Sequence, residues 1–240
     1  MPAWRSLTGG FDRAGFGWAA GSAALHGAYV LCLARAYSSG DLSLVYPVSR
    51  GLAPVLSTLA GTFVLGEVLS GANAAAVAIV AAGVYVASSP GLSLADLRRP
   101  LQSLRRADGR WALLTSACIA AYSAWDKSAV ASVPAWSLNW AGNAGNLLVL
   151  TPLAWRGVRA EWRRGPAPLL ATGVASSLGY VLFLLAMSMT PLVRIAAARE
   201  VGIVAAAALG VLVLREPHGR ARIAGATVIA AGVAVLVLVR

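Results

Sequence analysis

Residues 42–66 read LSLVYPVSRGLAPVLSTLAGTFVLG, and residues 190–214 read TPLVRIAAAREVGIVAAAALGVLVL. Each is an apolar run of 25 residues interrupted by arginine. A helix rises ~1.5 Å per residue, so about 20 residues cross a hydrocarbon core of ~30 Å. Both runs are long enough. Arg50 stands seventeen residues before Glu67, as Arg199 does before Glu216, and Gly83-Val84 and Gly232-Val233 begin sixteen residues beyond those glutamates. One offset of 149 thus carries Arg, Glu and Gly-Val from the first half of the chain onto the second. A membrane protein of two related halves is characteristically a carrier.

Working outward, eight apolar segments are predicted to span: 15–37, 42–66, 71–88, 111–130, 135–155, 167–187, 190–214 and 221–239. They are continuously apolar, which excludes an alternating β-barrel pattern. The expected fold is an all-α integral membrane protein of about eight transmembrane helices. Pro191 suits a helix start, whereas Pro47 inside 42–66 predicts a kink or locally opened backbone. The domain reading is a polar segment 1–14, a three-helix repeat 15–88, an Arg-rich linker 89–110 and a five-helix repeat 111–240. The two Glu loops are separated by an odd number of crossings, so the repeat is predicted to be inverted, with an N-terminally incomplete first half.

Composition agrees. Hydrophobic residues form 58% of the chain and charged residues 12%, against roughly 25% charged in soluble domains, and mean hydropathy is +0.72. The net charge of +11 sits mainly in short stretches between apolar runs, not on an aromatic-rich polar surface, so no nucleic-acid partner is expected. Cys32 and Cys118 lie inside apolar runs, and no disulfide framework is indicated. No cleaved signal peptide is read at the start. The linker, the stretch Arg156–Arg164 and the stretch Arg215–Arg222, read as three loops, hold twelve arginines. The positive-inside rule would place them in the cytoplasm and both termini outside.

The stretches AYSSGDLSLVYPVSRGLAPVLSTLAGTFVLGEVLS (36–70) and AAAREVGIVAAAALGVLVLRE (196–216), each followed by a helix containing Gly-Val, resemble the EamA-type family of the drug/metabolite transporter superfamily. The stretch AYSAWDKSAV (121–130) is similar to the start of the second repeat in such proteins. The resemblance implies two five-helix repeats, of which the segments 15–37, 42–66 and 71–88 match the last three of the first. It also implies termini inside, opposite to the loop-charge orientation, and that alternative stays open.

Several polar residues fall at membrane depth. Arg50 lies nine residues beyond Asp41 and Arg199 nine beyond Thr190, each ~13 Å into its helix. A charge there is costly and is expected to face the bundle interior, a carboxylate or a wet cavity. Arg50, Arg199, Glu200, Tyr122, Tyr46 and the stripe Asn139, Asn143 and Asn146 are therefore the candidate substrate pathway, with interhelical pairing as the structural alternative. Glu200, Asp126 (one turn from Tyr122) and His26 are candidates for proton coupling. Adjacent residues on a helix do not face one another, so Arg199 is not the expected partner of Glu200. Lys127 is expected to snorkel to the headgroups. Glu67 and Glu216 are expected to cap or pair at helix ends, and Gly17-x-x-x-Gly21 offers a helix contact.

No H-E-x-x-H, G-x-S-x-G, phosphate loop or Cys/His cluster is present, so no catalysis, metal or cofactor is expected. The functional expectation is a secondary transporter of small metabolites or drugs in the inner membrane. It would work by alternating access about a cavity between the repeats, with proton coupling as an option. Its partners would be a small-molecule substrate and the lipid bilayer, with a homodimer or partner subunit left open. The rivals are a lipid flippase-like subunit and a truncated, non-transporting membrane protein that needs a partner.

Overall fold

The structure, a computed structural model, describes residues 13–39, 42–104, 107–212 and 219–238. Asp41, Glu216, His218 and the N-terminal segment 1–12 lie outside the described residues, as does the expectation that Glu216 ends its helix. The described residues form eleven helices: α1 (Arg13–Ser39), α2 (Leu42–Gly51), α3 (Ala53–Phe63), α4 (Gly71–Ser88), α5 (Leu94–Ser103), α6 (Ala107–Ala129), α7 (Ala135–Arg164), α8 (Pro166–Met189), α9 (Leu192–Ala198), α10 (Val201–Leu212) and α11 (Gly219–Leu238). Four stretches among them are long and apolar enough to cross a membrane, namely Gly15–Ser38, Gly71–Ser88, Pro166–Met189 and Arg220–Leu238.

The two runs that open the sequence are both broken. The expected kink at Pro47 is not the break. Pro47 is the sixth of the ten residues of α2, which runs on to Gly51; the interruption is Leu52, whose own N–H still reaches the Val48 carbonyl at 3.2 Å. Pro54, at the start of α3, explains this: it has no N–H to give the Arg50 carbonyl, and its ring crowds that carbonyl. The run 190–214 parts at Arg199-Glu200, where Glu200, Gly202 and Ile203 donate to carbonyls three residues back instead of four. The offset of 149 superposes Gly51 on Glu200. The first gap, Leu52, maps onto Val201, so the two halves open at neighbouring positions of the repeat, one or two residues apart.

Two other expectations need correction. The predicted loop Arg156–Arg164 is helical: α7 runs 30 residues, about 45 Å, well beyond a hydrocarbon core. It stops at Gly165, whose φ of +155° favours glycine, and Pro166 then starts α8. The linker 89–110 also folds in large part, as α5 and the start of α6. In α5 the Ser93 side chain accepts from Asp96 N–H at 3.1 Å and its hydroxyl donates to Asp96 Oδ2 at 2.6 Å, a reciprocal cap.

The chain divides by packing into two compact units, Met1–Leu31 with Trp125–Thr190, and Cys32–Ala124 with Pro191–Arg240. In the first unit α1 and α7 approach backbone to backbone, since a Cβ on Gly145 would lie 1.9 Å from the Ala23 carbonyl oxygen. Of the pair Gly17 and Gly21, only Gly21 is in close contact, against the Trp125 ring. In the second unit the core is the crossing of α4 with α11. A Cβ on Gly83 would lie 2.7 Å from Ile229 N, and one on Gly232 would lie 3.0 Å from Val80 N. Adding 149 converts Gly83 into Gly232 and Val80 into Ile229. The two contacts are thus reciprocal and antiparallel, and glycine permits them because any side chain would force the helices apart.

Candidate functional site

In the second unit the break in α9–α10 places Arg199 at the end of one short helix and Glu200 before the next. Because these residues sit in a turn, the rule that neighbours point apart on a helix does not hold. Arg199 Nε donates to Glu200 Oε1 at 3.4 Å, and the pairing judged unexpected from sequence is the one that forms. Glu200 is 3% exposed and the Arg199 side chain 20%. Arg199 also shares a hydrogen bond with the Tyr122 side chain, and it lies close enough to Arg50 for the two cations to repel. Arg50, in the last turn of α2, stacks over the Tyr46 ring at 5.9 Å from its centroid. Cations near the ends of α2 and α9 meet the negative end of each helix dipole.

The short helix α9 is held from outside. Gly66 takes φ +70° after α3, and Glu67 N–H returns to the Gly61 carbonyl at 3.0 Å. This turn aims the Glu67 carboxylate at the start of α9, where its two oxygens accept from Leu192 N–H at 2.7 Å and Val193 N–H at 2.9 Å. An anion there satisfies orphan donors and faces the positive dipole end. The capping role expected of Glu67 is therefore observed, across 125 residues of sequence.

The first unit holds a different cluster. Asp126, 0% exposed, receives the Tyr180 hydroxyl on Oδ2 at 2.5 Å, and His26 Nε2 lies 3.1 Å from both that oxygen and the Tyr180 hydroxyl. Asp126 Oδ1 is buried with no hydrogen-bond partner among the described residues. Asp126 is therefore partnered by Tyr180 and His26, not by Tyr122, which serves Arg199 in the other unit. The histidine ring packs on Gly142 of α7, whose missing Cβ would lie 3.1 Å from it. The asparagine stripe belongs to this unit too. Asn143 Nδ2 donates to Asn139 Oδ1 and to Ser177 Oγ, both at 3.3 Å, while Asn146 Oδ1 is buried without a hydrogen-bond partner among the described residues.

Lys127 does not reach for headgroups. Its Nζ donates to the Met187 carbonyl at 2.5 Å and the Thr190 carbonyl at 2.8 Å, capping the C-terminus of α8. Tyr180 and Ser177 carried no signal in the sequence, since each is a single hydroxyl in an apolar run. Their partners lie 34 to 154 residues away. Among the described residues no group of His, Cys, Asp and Glu could hold a metal ion.

The family model described as "EamA-like transporter family" matches residues 110–238, more than half of the chain. No curated protein is significantly similar in sequence.

Proposed function

We propose, from the premise that the chain belongs to the EamA-like transporter family, that it is a secondary carrier of small metabolites or drugs working by alternating access. Family and apolar helices together make it a multi-pass membrane protein and a transporter of the drug/metabolite superfamily. The finer reading is carried by one observation: two helices broken at neighbouring positions of the repeat, each with an arginine at or within two residues of the break. Carrier sites are commonly built from discontinuous helices of two inverted repeats. The antiparallel, reciprocal contact of α4 with α11 supports such an inversion, within an eight-span architecture of three helices followed by five.

In this reading the substrate meets Arg50, Arg199, Glu200, Tyr122 and Tyr46 in the second unit. The breaks supply hinges, since a few residues outside regular pairing can absorb the φ/ψ change that a half-helix needs to swing. Asn139, Asn143 and Asn146 are pathway candidates within the first unit, considered by itself. Proton coupling is assigned to Asp126, His26 and Glu200, buried groups able to take up or release a proton. The membrane is the inner one.

Purified protein in liposomes, loaded with a mixed metabolite pool and followed by mass spectrometry, tests the carrier. Exchange of a soluble compound is expected, with at least a tenfold loss of rate in Arg199→Gln at unchanged folding. Scrambling of a labelled lipid without solute exchange would replace the carrier by a flippase. Uphill uptake driven by ΔpH that survives an Asp126→Asn/His26→Gln/Glu200→Gln triple variant would sink the proton proposal alone.

A further inference from the structure

The chain has two cysteines, 86 residues apart, and the fold brings them together. Cys32 lies on α1 and Cys118 on α6, both free and half-buried, with their sulfurs 4.0 Å apart. Both belong to the second unit. The same two helices share one apolar cluster further along, which buries Ala36, one turn beyond Cys32, and Ala112, with Trp111 packed against it. Trp111 stands two turns before Cys118, so the helices run antiparallel through a series of contacts that includes the thiol pair. We propose that Cys32 and Cys118 form a reversible disulfide that locks α1 to α6 and arrests the carrier. The lock goes beyond the transport reading; the arrest rests on it.

A disulfide holds its sulfurs ~2 Å apart, so each has to move only about 1 Å, which a turn about its own Cα–Cβ bond supplies. Formation removes two thiol hydrogens and two electrons, and an organic hydroperoxide takes both. One sulfur attacks the peroxide, releasing an alcohol and leaving a sulfenic acid; the second sulfur then displaces water from it. Position selects an oxidant of that class. Cys32 lies inside the candidate span Gly15–Ser38, six residues from its end. That is about 9 Å along the helix axis, a depth open to a lipid-soluble peroxide and costly for a charged reagent. The lock also sits where the chain changes unit. The boundary falls between Leu31 and Cys32 in α1, and between Ala124 and Trp125 in α6. In the first unit Trp125 Nε1 donates to the Trp18 carbonyl at 2.9 Å, which fastens the same two helices there. A covalent tie in the second unit fastens them again, and helices held at two levels cannot slide or tilt past each other as shear and hinge motions require.

The full chain in liposomes, treated with cumene hydroperoxide, tests this. Thiols titrated after denaturation should fall from two per chain to none, with the protein still a monomer on a non-reducing gel. Dithiothreitol should restore both. The oxidised chain should melt about 5 °C or more above the reduced one, because closing so long a loop restricts the unfolded chain. Solute exchange should fall at least tenfold on oxidation and return on reduction. Cys32→Ser should keep its exchange in hydroperoxide, and Cys118→Ala takes its place if the serine variant fails to fold. Two free thiols after treatment, or disulfide-linked dimers instead of an intrachain bond, would overturn the proposal. So would an intrachain bond that leaves exchange unchanged. A chain that forms the bond and gains the thermal shift, yet exchanges nothing in either state, sinks the carrier reading and leaves the lock.

Discussion

The first half of the chain interrupts its arginine helix beside Pro54, which cannot donate to the Arg50 carbonyl; the second half interrupts its own at Arg199-Glu200, where the position equivalent to Pro54 is Ile203. One break is local, a steric consequence of a residue visible in the sequence. The other is assembled: tightened three-residue hydrogen bonds, an Arg199–Glu200 contact across the turn, and a Glu67 cap supplied from the first half. What the two halves share is a break within two residues of the equivalent arginine, not the means. At seven residues α9 is far shorter than a helix that persists alone, so the external cap is part of how the second break exists.

If the second break is already open, proline should be tolerated in the first turn of α10 and not in its interior. Ala207→Pro, in the helix interior, is expected to cost about 3 kcal/mol or more, whereas Ile203→Pro should cost only ~1 kcal/mol, the bond it removes to the Glu200 carbonyl. Equal losses in thermal denaturation would mean that α9 and α10 are one helix. Next in size is Glu67→Ala, expected to cost ~1–2 kcal/mol by uncapping α9, with Glu67→Gln losing less because one acceptor remains. Hydrogen exchange should rise at Leu192 and Val193 and stay unchanged in α2. The smallest effect on stability is predicted for Pro54→Ala, within about 1 kcal/mol, since the new N–H can rejoin α2 to α3. Its readout is transport, which should fall while the melting temperature holds or rises. Unchanged transport would show that the first break is no hinge.

The two polar clusters extend the contrast. That of the first unit joins an acid with a tyrosine and a histidine, and one carboxylate oxygen has no partner among the described residues. That of the second unit pairs Arg199 with Glu200 on interrupted backbone. Sequence placed Arg50, Arg199, Glu200, Asp126 and His26 at depth because charge in an apolar run is conspicuous. It misassigned their partners. Tyr122 seemed to belong with Asp126 by helical spacing, yet it bonds Arg199, and Tyr180 was hidden because one hydroxyl in a run such as 167–187 is unremarkable. Lys127 likewise looked like a headgroup residue until the carbonyl end of α8 arrived beside it.

The sequence by itself determined that the chain is helical and apolar and that its repeated arginines fall inside apolar runs, because hydrophobic length and offset are properties of a linear string. Residues 135–155 were legible as a helix, though its continuation to Arg164 was not, since a helix that leaves the membrane no longer needs apolar residues to persist. Only the tertiary structure decided where the second arginine helix opens, what caps it, and which acid answers which base. Those outcomes depend on groups up to 154 residues apart meeting in an interior where an unpaired charge or donor is costly, and pairing of that kind is settled by geometry after the helices pack.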